Sequence, residues 1–251
     1  MPVTGNNSTL YNMSIRITAD GFSFVITEAS SGGFVCRESY PTEQGGVGRT
    51  LLRRVAQSEA CRFTPQRVCV VVDSESVCVP LADFRPEDLR QHYALVYGEV
   101  DFNQHRLCYS VLPELQVVEV FTVPRDVCGA VSGTWPEATY TSASSMVLNH
   151  AAAFCREREG EGNCLFAYLE DRQFFLLSMT QGQLRYSNHF VVEEKQNALF
   201  FLLSVWKELS LDVFRDVCYL GGNALAQQVA EEARTYLQQV EWMGQLDLTH
   251  L

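Results

Sequence analysis

The sequence predicts an α/β protein with two lobes, each built on a mixed sheet flanked by helices. The first observation is a repeat of element order, because both halves of the chain read strand, strand, strand, helix, strand. The second is composition: 251 residues, 47% hydrophobic and 20% charged, suit a globular chain with room for two lobes. We place the first lobe at residues 10–158 and the second at residues 159–251.

Three strands open the first half. The segment "SIRIT" alternates apolar and polar residues, and the strands "FSFVITEA" and "FVCRESY" follow it. Asp20 and Gly21 lie between the first two strands and predict a two-residue hairpin turn with positive φ at both positions. A helix containing Val47, Leu51, Leu52 and Val55 comes next. The continuous apolar run "RVCVVVD" then predicts a strand that is buried on both faces.

The middle of the chain adds a small excursion to the first lobe. Residues 75–113 predict a strand, a helix that begins at Pro86 and a second strand. After it, "QVVEVFTVP" and "ATYTSA" predict strands, and "RDVCGAVSG" and "SSMVLNHAAAFCRERE" predict helices. The polar segment "EGEGN" at residues 159–163 is the predicted hinge between the two halves.

The second half repeats the pattern with the strands "CLFAYL", "QFFLLSMT" and "QLRYSNHFVV", and Gln181 and Gly182 form the second turn. The helix "EKQNALFFLLSVWKELS" is apolar around nearly its whole circumference, which predicts a largely buried helix. The strand "DVCYL" and the last helix follow. We expect the tail "EWMGQLDLTHL" to dock on its own lobe, the alternative being an exposed surface for a partner.

Composition argues against several functions. The net charge of −11 disfavours nucleic-acid binding and direct membrane contact. The first residues do not resemble a signal peptide, and no apolar run reaches the roughly 18 residues that a membrane-spanning helix needs. Nine cysteines, an odd number without C-x-x-C pairs, indicate free thiols in the cytoplasm rather than a zinc site or disulfides. The sequence contains neither a P-loop nor a G-x-S-x-G motif, and its histidines lack metal-ligand spacing.

This order of elements resembles the actin-like ATPase (ribonuclease H-like) fold of actin, sugar kinases and heat-shock chaperones. The segment "FTVPRDVCGAVSGTWPEATYTSASSMVLNHAAAF" is similar to the one that leads to the inter-lobe helix in pilus-assembly and cell-division members. The segment "NALFFLLSVWKELSLDVFRDVCYLGGNALA" is similar to their helix, strand and adenosine motif. More narrowly, the whole chain resembles a bacterial family of unknown function with this fold.

The resemblance implies that ATP and Mg²⁺ are the cofactors to consider, with one hairpin from each lobe at the phosphates. In the first hairpin, Asp20, Gly21 and Ser23 are the residue types that would organise Mg²⁺, admit phosphate and donate a hydrogen bond to it. The usual spacer between the aspartate and the glycine is absent. An ordinary hairpin turn, which also favours Asp-Gly, therefore remains an alternative.

The second hairpin, "LEDRQFF", matches the family less well, because it contains neither glycine nor serine nor threonine. Its acidic residues either hold a metal ion or are solvated turn charges, and we expect the latter. At the corner after the last long strand, Gly221 and Gly222 would lie against the adenosine, with Asn223 as the N-cap of the final helix. Close packing of a strand against a helix demands the same glycines, so both interpretations stay open.

These uneven hairpins favour a non-catalytic interaction or scaffold protein with a degenerate nucleotide site. The alternative is an active ATP-binding protein, an ATPase or a small-molecule kinase, which Asp20, Ser23 and the glycine pair support. An adaptor near a membrane machine is a third function, by analogy with the pilus-assembly relatives. We expect a protein of unknown identity as the partner, with a homodimer as a further arrangement.

Overall fold

Three sheets organise the chain. The computed structural model describes residues 10–157 and 162–246, and all elements given below lie in those ranges. Two five-stranded sheets have the strand orders β3-β2-β1-β4-β8 and β11-β10-β9-β12-β13, and a three-stranded sheet has the order β5-β7-β6. In each large sheet the first four strands of the half have the order 3-2-1-4, and a fifth strand follows at the edge. In the first half this edge strand is β8, because the three strands of the small sheet lie between it and β4 in the chain. The repeat of element order is therefore also a repeat of topology.

The first large sheet contains an antiparallel meander and two strands that run parallel to its first strand. Its strands are β1 (Tyr11–Ile17), β2 (Gly21–Glu28), β3 (Phe34–Pro41), β4 (Pro65–Val72) and β8 (Thr139–Ser142). Two helices, α1 (Val47–Val55) and α3 (Arg125–Thr134), pack on one face, and α4 (Ala143–Glu157) packs on the other. The sheet is thus covered on both sides.

The prediction that β4 is buried on both faces is confirmed. Val68, Val70 and Val72 belong to the core under α1 and α3, whereas Cys69 and Val71 belong to the core under α4. Successive side chains of a strand point to opposite faces, so a continuous apolar run is what such a central strand requires.

The second large sheet repeats this plan. Its strands are β9 (Asn163–Glu170), β10 (Gln173–Thr180), β11 (Gln183–Val191), β12 (Val217–Gly222) and β13 (Val240–Gly244). Its outer face is covered by α5 (Lys195–Glu208) and α6 (Ala224–Ala233). Its inner face shares a core with α4 and with β4 of the first sheet. The α4 helix therefore lies between the two large sheets and connects them.

The expectation that α5 is buried around nearly its whole circumference is wrong. Ala198, Leu202 and Val205 are buried, but Phe200 is 65% exposed. The reason is that α5 packs on the outside of the sheet, so only one side of it meets the core, and Phe200 contacts its neighbour Phe201 at the surface.

The excursion forms the three-stranded sheet. It contains β5 (Ser76–Pro80), α2 (Leu89–Tyr97) and β6 (His105–Leu112), and its central strand is β7 (Val117–Pro124), which the sequence analysis places after the excursion. Both outer strands pair with β7 in antiparallel fashion. The division of the chain at residue 158 stays a prediction. Most of the "EGEGN" segment lies outside the described residues.

A buried carboxylate joins this small sheet to α4. Glu119 of β7 is fully buried and accepts hydrogen bonds from the hydroxyls of Ser76 and Ser142, each at 2.6 Å, and from Ser145. The Ser142 hydroxyl also accepts from the backbone N–H of Ser145 at 2.8 Å in the first turn of α4. Because buried charges need such donors, this cluster holds the small sheet against the start of the helix.

The predicted Asp20-Gly21 turn is wrong in its register. The N–H of Thr18 donates to the carbonyl oxygen of Gly21 at 2.9 Å, so Ala19 and Asp20 lie at the tip. Neither Asp20 nor Gly21 has a positive φ. Gly21 is instead the first residue of β2, where a Cβ atom would lie 2.2 Å from the carbonyl oxygen of Tyr40 on β3. The glycine is needed for strand packing rather than for the turn.

The tail docks on its own sheet over the residues described. Residues Val240–Gly244 form β13, which pairs in parallel with β12, and Met243 and Leu246 pack in the core around α4. The hydroxyl of Tyr168 donates to the carbonyl oxygen of Leu246 at 3.2 Å. The last five residues of the tail lie outside the described residues. None of the helices in the described ranges has the length and apolar character needed to cross a membrane.

Candidate functional site

A cleft of ≈ 700 Å³ lies between the β1–β2 turn and the β9–β10 turn. The predicted residues Asp20, Gly21 and Ser23 all line it on the side of the first sheet. Asp20 is exposed at the tip of its turn, whereas the Ser23 side chain is buried in β2. The opposite wall comes from the β9–β10 turn and includes Asp171 and Arg172. The structure thus brings together one turn from each half of the chain.

Two residues that line the cleft, Asp73 and Asp171, contact a buried arginine that was not predicted from the sequence. Arg16 of β1 is 4% exposed, and its Nη1 lies 2.8 Å from a carboxylate oxygen of Glu170 at the end of β9. Its Nη2 lies 3.5 Å from Asp73, directly after β4, and 4.0 Å from Asp171 in the β9–β10 turn. One guanidinium therefore faces three carboxylates, two of which belong to the second sheet.

Burial and charge act in opposite directions on this cluster. Burial lowers the pKa of Arg16, but the nearby carboxylates of Asp73 and Glu170 outweigh it and raise the pKa above its usual value. Burial raises the pKa of Asp73 to about 6, and the attraction of Arg16 opposes this only in part. Arg16 is accordingly a permanent cation, and the Asp73 carboxyl beside it has a raised pKa.

The sequence contains a weak signal for this cluster. Arg16 is the one charged residue of the alternating strand β1, and Asp73 follows the buried run of β4. Parallel neighbours such as β1 and β4 place their carboxyl ends at the same sheet edge, and Ile17 pairs with Val72 there. The pairing of β1 with β4 predicts that Arg16 and Asp73 are neighbours. It does not predict the contact with Glu170, which depends on how the two large sheets pack.

The corner at Gly221 and Gly222 serves close strand packing. Gly222 has φ +122°, and a Cβ atom there would lie 1.9 Å from the carbonyl oxygen of Leu169 on β9. A Cβ atom at Gly221 would lie 2.6 Å from the carbonyl oxygen of Gly244 on β13. Both glycines are therefore required by the sheet itself. A further role of this corner in holding adenosine stays a prediction.

Asn223 is the N-cap of α6, as predicted. Its side-chain oxygen accepts from the backbone N–H groups of Leu225 at 3.0 Å and Ala226 at 3.2 Å. Its side-chain nitrogen donates to the carbonyl oxygen of Asp171 at 3.3 Å. The corner is thus hydrogen-bonded to the turn that faces the cleft. The six predicted residues fall into two groups, one on each side of the Arg16 cluster.

Comparisons with known proteins agree on the fold. A model of the family described as "Protein of unknown function (DUF3822)" matches residues 2–240. A Bacteroides thetaiotaomicron protein with an actin-like ATPase fold and unknown function matches with a TM-score of 0.82 and 21% identity, over 97% of this chain and 94% of its own. The PilM–PilN type IV pilus biogenesis complex matches with a TM-score of 0.54 and 15% identity, over 92% of this chain and 88% of the other. No curated protein matches in sequence. The actin-like fold implied by the resemblance is confirmed.

Proposed function

The chain belongs to a family of proteins of unknown function (DUF3822), and we propose that it is a non-catalytic interaction or scaffold protein whose nucleotide cleft is degenerate. The observation that carries the proposal is the position of Arg16. Its guanidinium lies among Asp73, Glu170 and Asp171, of which Asp73 and Asp171 line the cleft. The chain itself thereby supplies the cation between these carboxylates.

Electrostatics supports this proposal. Mg²⁺ in nucleotide sites keeps several waters and is bound through one or two carboxylates together with the phosphates. Arg16 is permanently charged and buried, so a second cation placed among the same carboxylates would be repelled by it at short distance. Among the residues in the described ranges, no three His, Cys, Asp or Glu side chains are grouped so as to hold a metal ion. The carboxylates of Asp73, Glu170 and Asp171 therefore suit the Arg16 guanidinium as their cation and do not suit Mg²⁺.

The two turns also lack what a phosphate requires. Gly21, the residue that would admit phosphate in the first hairpin, is packed against the backbone of Tyr40. In the second hairpin, the Arg172 side chain forms an ion pair with Glu193 at 2.9 Å. Backbone N–H groups aimed at one point are the usual phosphate cradle, and neither turn supplies glycine at its tip.

A role in protein interaction fits the exposed surface of the small sheet. Leu95 and Val96 of α2 are 79% and 60% exposed, and Tyr109 and Val111 of β6 are 44% and 49% exposed. Exposed apolar groups of this kind favour a protein partner or a second copy of the chain. The similarity to PilM, which is seen in a complex with PilN, supports the same class of function.

The remaining parts of the proposal follow from composition. The nine cysteines are free thiols, which suits the reducing cytoplasm of a cell. The net charge of −11 disfavours nucleic acid and anionic membranes as partners. The similarity to a protein of Bacteroides thetaiotaomicron supports a bacterial origin.

Thermal unfolding with nucleotide tests the degenerate cleft. A ligand present at about 100 times its Kd adds about 2.7 kcal/mol of stability, and each kcal/mol moves the Tm of a chain this long by about 2–4 °C. We expect millimolar Mg-ATP to raise the Tm by less than about 2 °C. Mg²⁺ alone and ATP alone are the controls. A reproducible rise of more than about 5 °C with Mg-ATP, but with neither control, would show that the cleft binds nucleotide.

The alternative is an active ATPase or small-molecule kinase, and the open cleft lined by Asp20 and Ser23 is the observation that favours it. Turnover of ATP measured with and without Mg²⁺ distinguishes it from the scaffold. We expect no turnover that depends on Asp20. If Asp20→Asn removes a Mg²⁺-dependent activity that Asp83→Asn leaves intact, the protein is an enzyme. Asp83 is a suitable control because it is exposed and does not line the cleft.

A further inference from the structure

Two of the nine free thiols lie side by side where α4 ends and β9 begins. The Sγ atoms of Cys155 and Cys164 are 3.9 Å apart. The Sγ of Cys164 also lies 3.7 Å from the carbonyl oxygen of Met179 on the neighbouring strand β10. The two sulfurs are therefore in direct contact, and both side chains are only partly buried.

A small cavity lies beside this pair of thiols. It has a volume of ≈ 110 Å³, and Cys155 and Cys164 both line it. The other walls come from the aromatic rings of Phe154 and Tyr219 and from the exposed residue Arg215. A pair of thiols at an open cavity differs from Cys218, which is buried in the second core.

We propose that Cys155 and Cys164 form a reactive dithiol, which small disulfides such as oxidised glutathione convert into an intramolecular disulfide. The proposal goes beyond the scaffold function and does not depend on it. The reactive form of a cysteine is the thiolate, so the order of reaction follows from which thiol ionises first.

Cys155 is the attacking residue. A hydrogen bond from the Cys164 thiol lowers the pKa of Cys155, and this outweighs the opposite effect of burial. The same hydrogen bond, together with burial and the nearby charge of Asp216, raises the pKa of Cys164. Burial raises the pKa of each of the other seven thiols as well, namely those of Cys36, Cys61, Cys69, Cys78, Cys108, Cys128 and Cys218.

The reaction is a double thiol–disulfide exchange. The Cys155 thiolate attacks one sulfur of oxidised glutathione, whose S–S bond breaks, and the first glutathione leaves as a thiolate that takes up a proton. A mixed disulfide on Cys155 remains. Cys164 then gives up its proton and attacks the Sγ of Cys155, which releases the second glutathione. The protein loses two hydrogen atoms, and the two electrons reduce one molecule of oxidant to two thiols.

The local geometry allows the bond to form. A disulfide requires sulfurs about 2 Å apart, so the side chains must rotate toward each other from 3.9 Å. Cys155 lies in the last turn of α4, which ends at Glu157, where the backbone has the freedom to adjust. Cys164 lies in β9 and is the fixed member of the pair.

Peptide mapping after oxidation tests the proposal on the whole chain. The protein is treated with oxidised glutathione at neutral pH, remaining thiols are alkylated, and trypsin then cuts after Arg156 and Arg158, between the two cysteines. We expect residues 126–156 to appear linked to residues 159–172 by a disulfide. Since the first peptide also contains Cys128, the variant Cys128→Ser must retain the link. A digest in which both cysteines are alkylated as in untreated protein would overturn the proposal.

Single variants test the order of attack. In Cys164→Ser, we expect glutathione to stay attached to Cys155, because the second thiol that would release it is missing. In Cys155→Ser, we expect attachment to Cys164 to be at least about tenfold slower, because its thiolate is disfavoured. Cys108→Ser is the control and should form the internal link like the wild type. Equal rates of attachment in the first two variants would contradict the assignment of Cys155, and the mapping of wild-type protein does not depend on either variant folding.

Discussion

At the scale of single residues, the position of Gly222 disfavours a side chain for two reasons, the backbone conformation and the lack of space for a Cβ atom. Its φ of +122° is a backbone conformation that residues with a side chain rarely adopt, and a Cβ atom would lie 1.9 Å from the carbonyl oxygen of Leu169. Gly182, in the turn between β10 and β11, also has a positive φ, of +74°, but nothing lies within 4 Å of its Cβ position. The two glycines therefore compare a position where a Cβ atom would meet backbone with one where it would meet open space.

We predict that Gly222→Ala lowers the free energy of unfolding by about 3 kcal/mol or more, because strain and a backbone collision add together. Gly182→Ala meets only the strain and should cost about 1 kcal/mol. Urea denaturation of both variants measures the difference. Equal losses at the two positions would show that β12 moves away from β9 without cost.

The carboxyl group of Asp73 predicts a specific dependence of stability on pH. Its pKa is raised from 3.8 to about 6, so the folded protein holds this proton more tightly than the unfolded chain does. The associated stability is fully present below pH 3.8 and is lost as the pH rises through about 6. We expect the wild type to lose up to about 3 kcal/mol between these limits relative to Asp73→Asn. Urea titrations of both proteins from pH 4 to pH 7 measure it, and a constant difference across the range would contradict the raised pKa.

Sequence patterns identified the candidate residues whose role depends only on neighbouring positions in the chain. Asn223 is an N-cap and is identified by its place before a helix. Arg16 was missed because its role depends on Glu170 and Asp171, which come from the other sheet. No local pattern contains that information. Gly21 was found as a glycine that the backbone requires, but the reason was wrong, because the collision is with the neighbouring strand β3 and not within the turn.

At the scale of elements, the cap of α6 connects the glycine corner to the cleft. We predict that Asn223→Ala costs about 1 kcal/mol, since the first turn of the helix loses its hydrogen-bond acceptor. Asn223→Asp keeps an acceptor for Leu225 and Ala226 but loses the donor to Asp171, so it should recover most of the loss. Thermal or urea unfolding of the two variants decides this. If Asp proves as costly as Ala, the bond to Asp171 is the stabilising contact.

Strands and helices were predicted well where the spacing of apolar residues along the chain matches the side chains that lie in a core. The continuous run in β4 follows directly from its two buried faces, and the alternating apolar residues of β1 and β2 lie in the core under α1 and α3. Polar residues on the opposite face of β1 and β2 are buried too, which the alternation did not indicate. The predictions that were wrong or incomplete concern features that depend on packing between elements distant in sequence. The exposed side of α5 depends on there being no further layer outside it, and β13 is a strand because β12 offers it an edge. The place of β7 in the small sheet likewise depends on pairing with two strands distant in sequence.

At the scale of the whole molecule, the ion pair between Arg16 and Glu170 joins the two large sheets. Both side chains are largely buried, with 5% and 16% of their surfaces exposed. Glu170 makes the shortest of the three carboxylate contacts to Arg16, while Asp73 and Asp171 remain beside the guanidinium when it is removed. We therefore predict that Glu170→Gln lowers the free energy of unfolding by about 2 kcal/mol, the loss of one charge-assisted hydrogen bond. The double variant Arg16→Met, Glu170→Gln should cost less than the sum of the single changes.

The pair of Arg172 and Glu193 is the control for this double-mutant cycle, because its side chains are 51% and 67% exposed and solvent screens them. We expect a much smaller coupling energy there. Additive effects of the Arg16 and Glu170 changes would show that the two sheets are held together by the core around α4 alone.

Because Arg16 is part of β1, every folded copy of the chain has one positive charge, the Arg16 guanidinium, beside the carboxylates of Asp73 and Glu170. A bound metal ion leaves when a chelator competes for it, and a nucleotide exchanges as cellular energy supply changes. A guanidinium on a strand does neither and is present once in every folded copy. A partner that recognises the rim of this cleft would therefore meet the same surface in a starved cell as in a growing one.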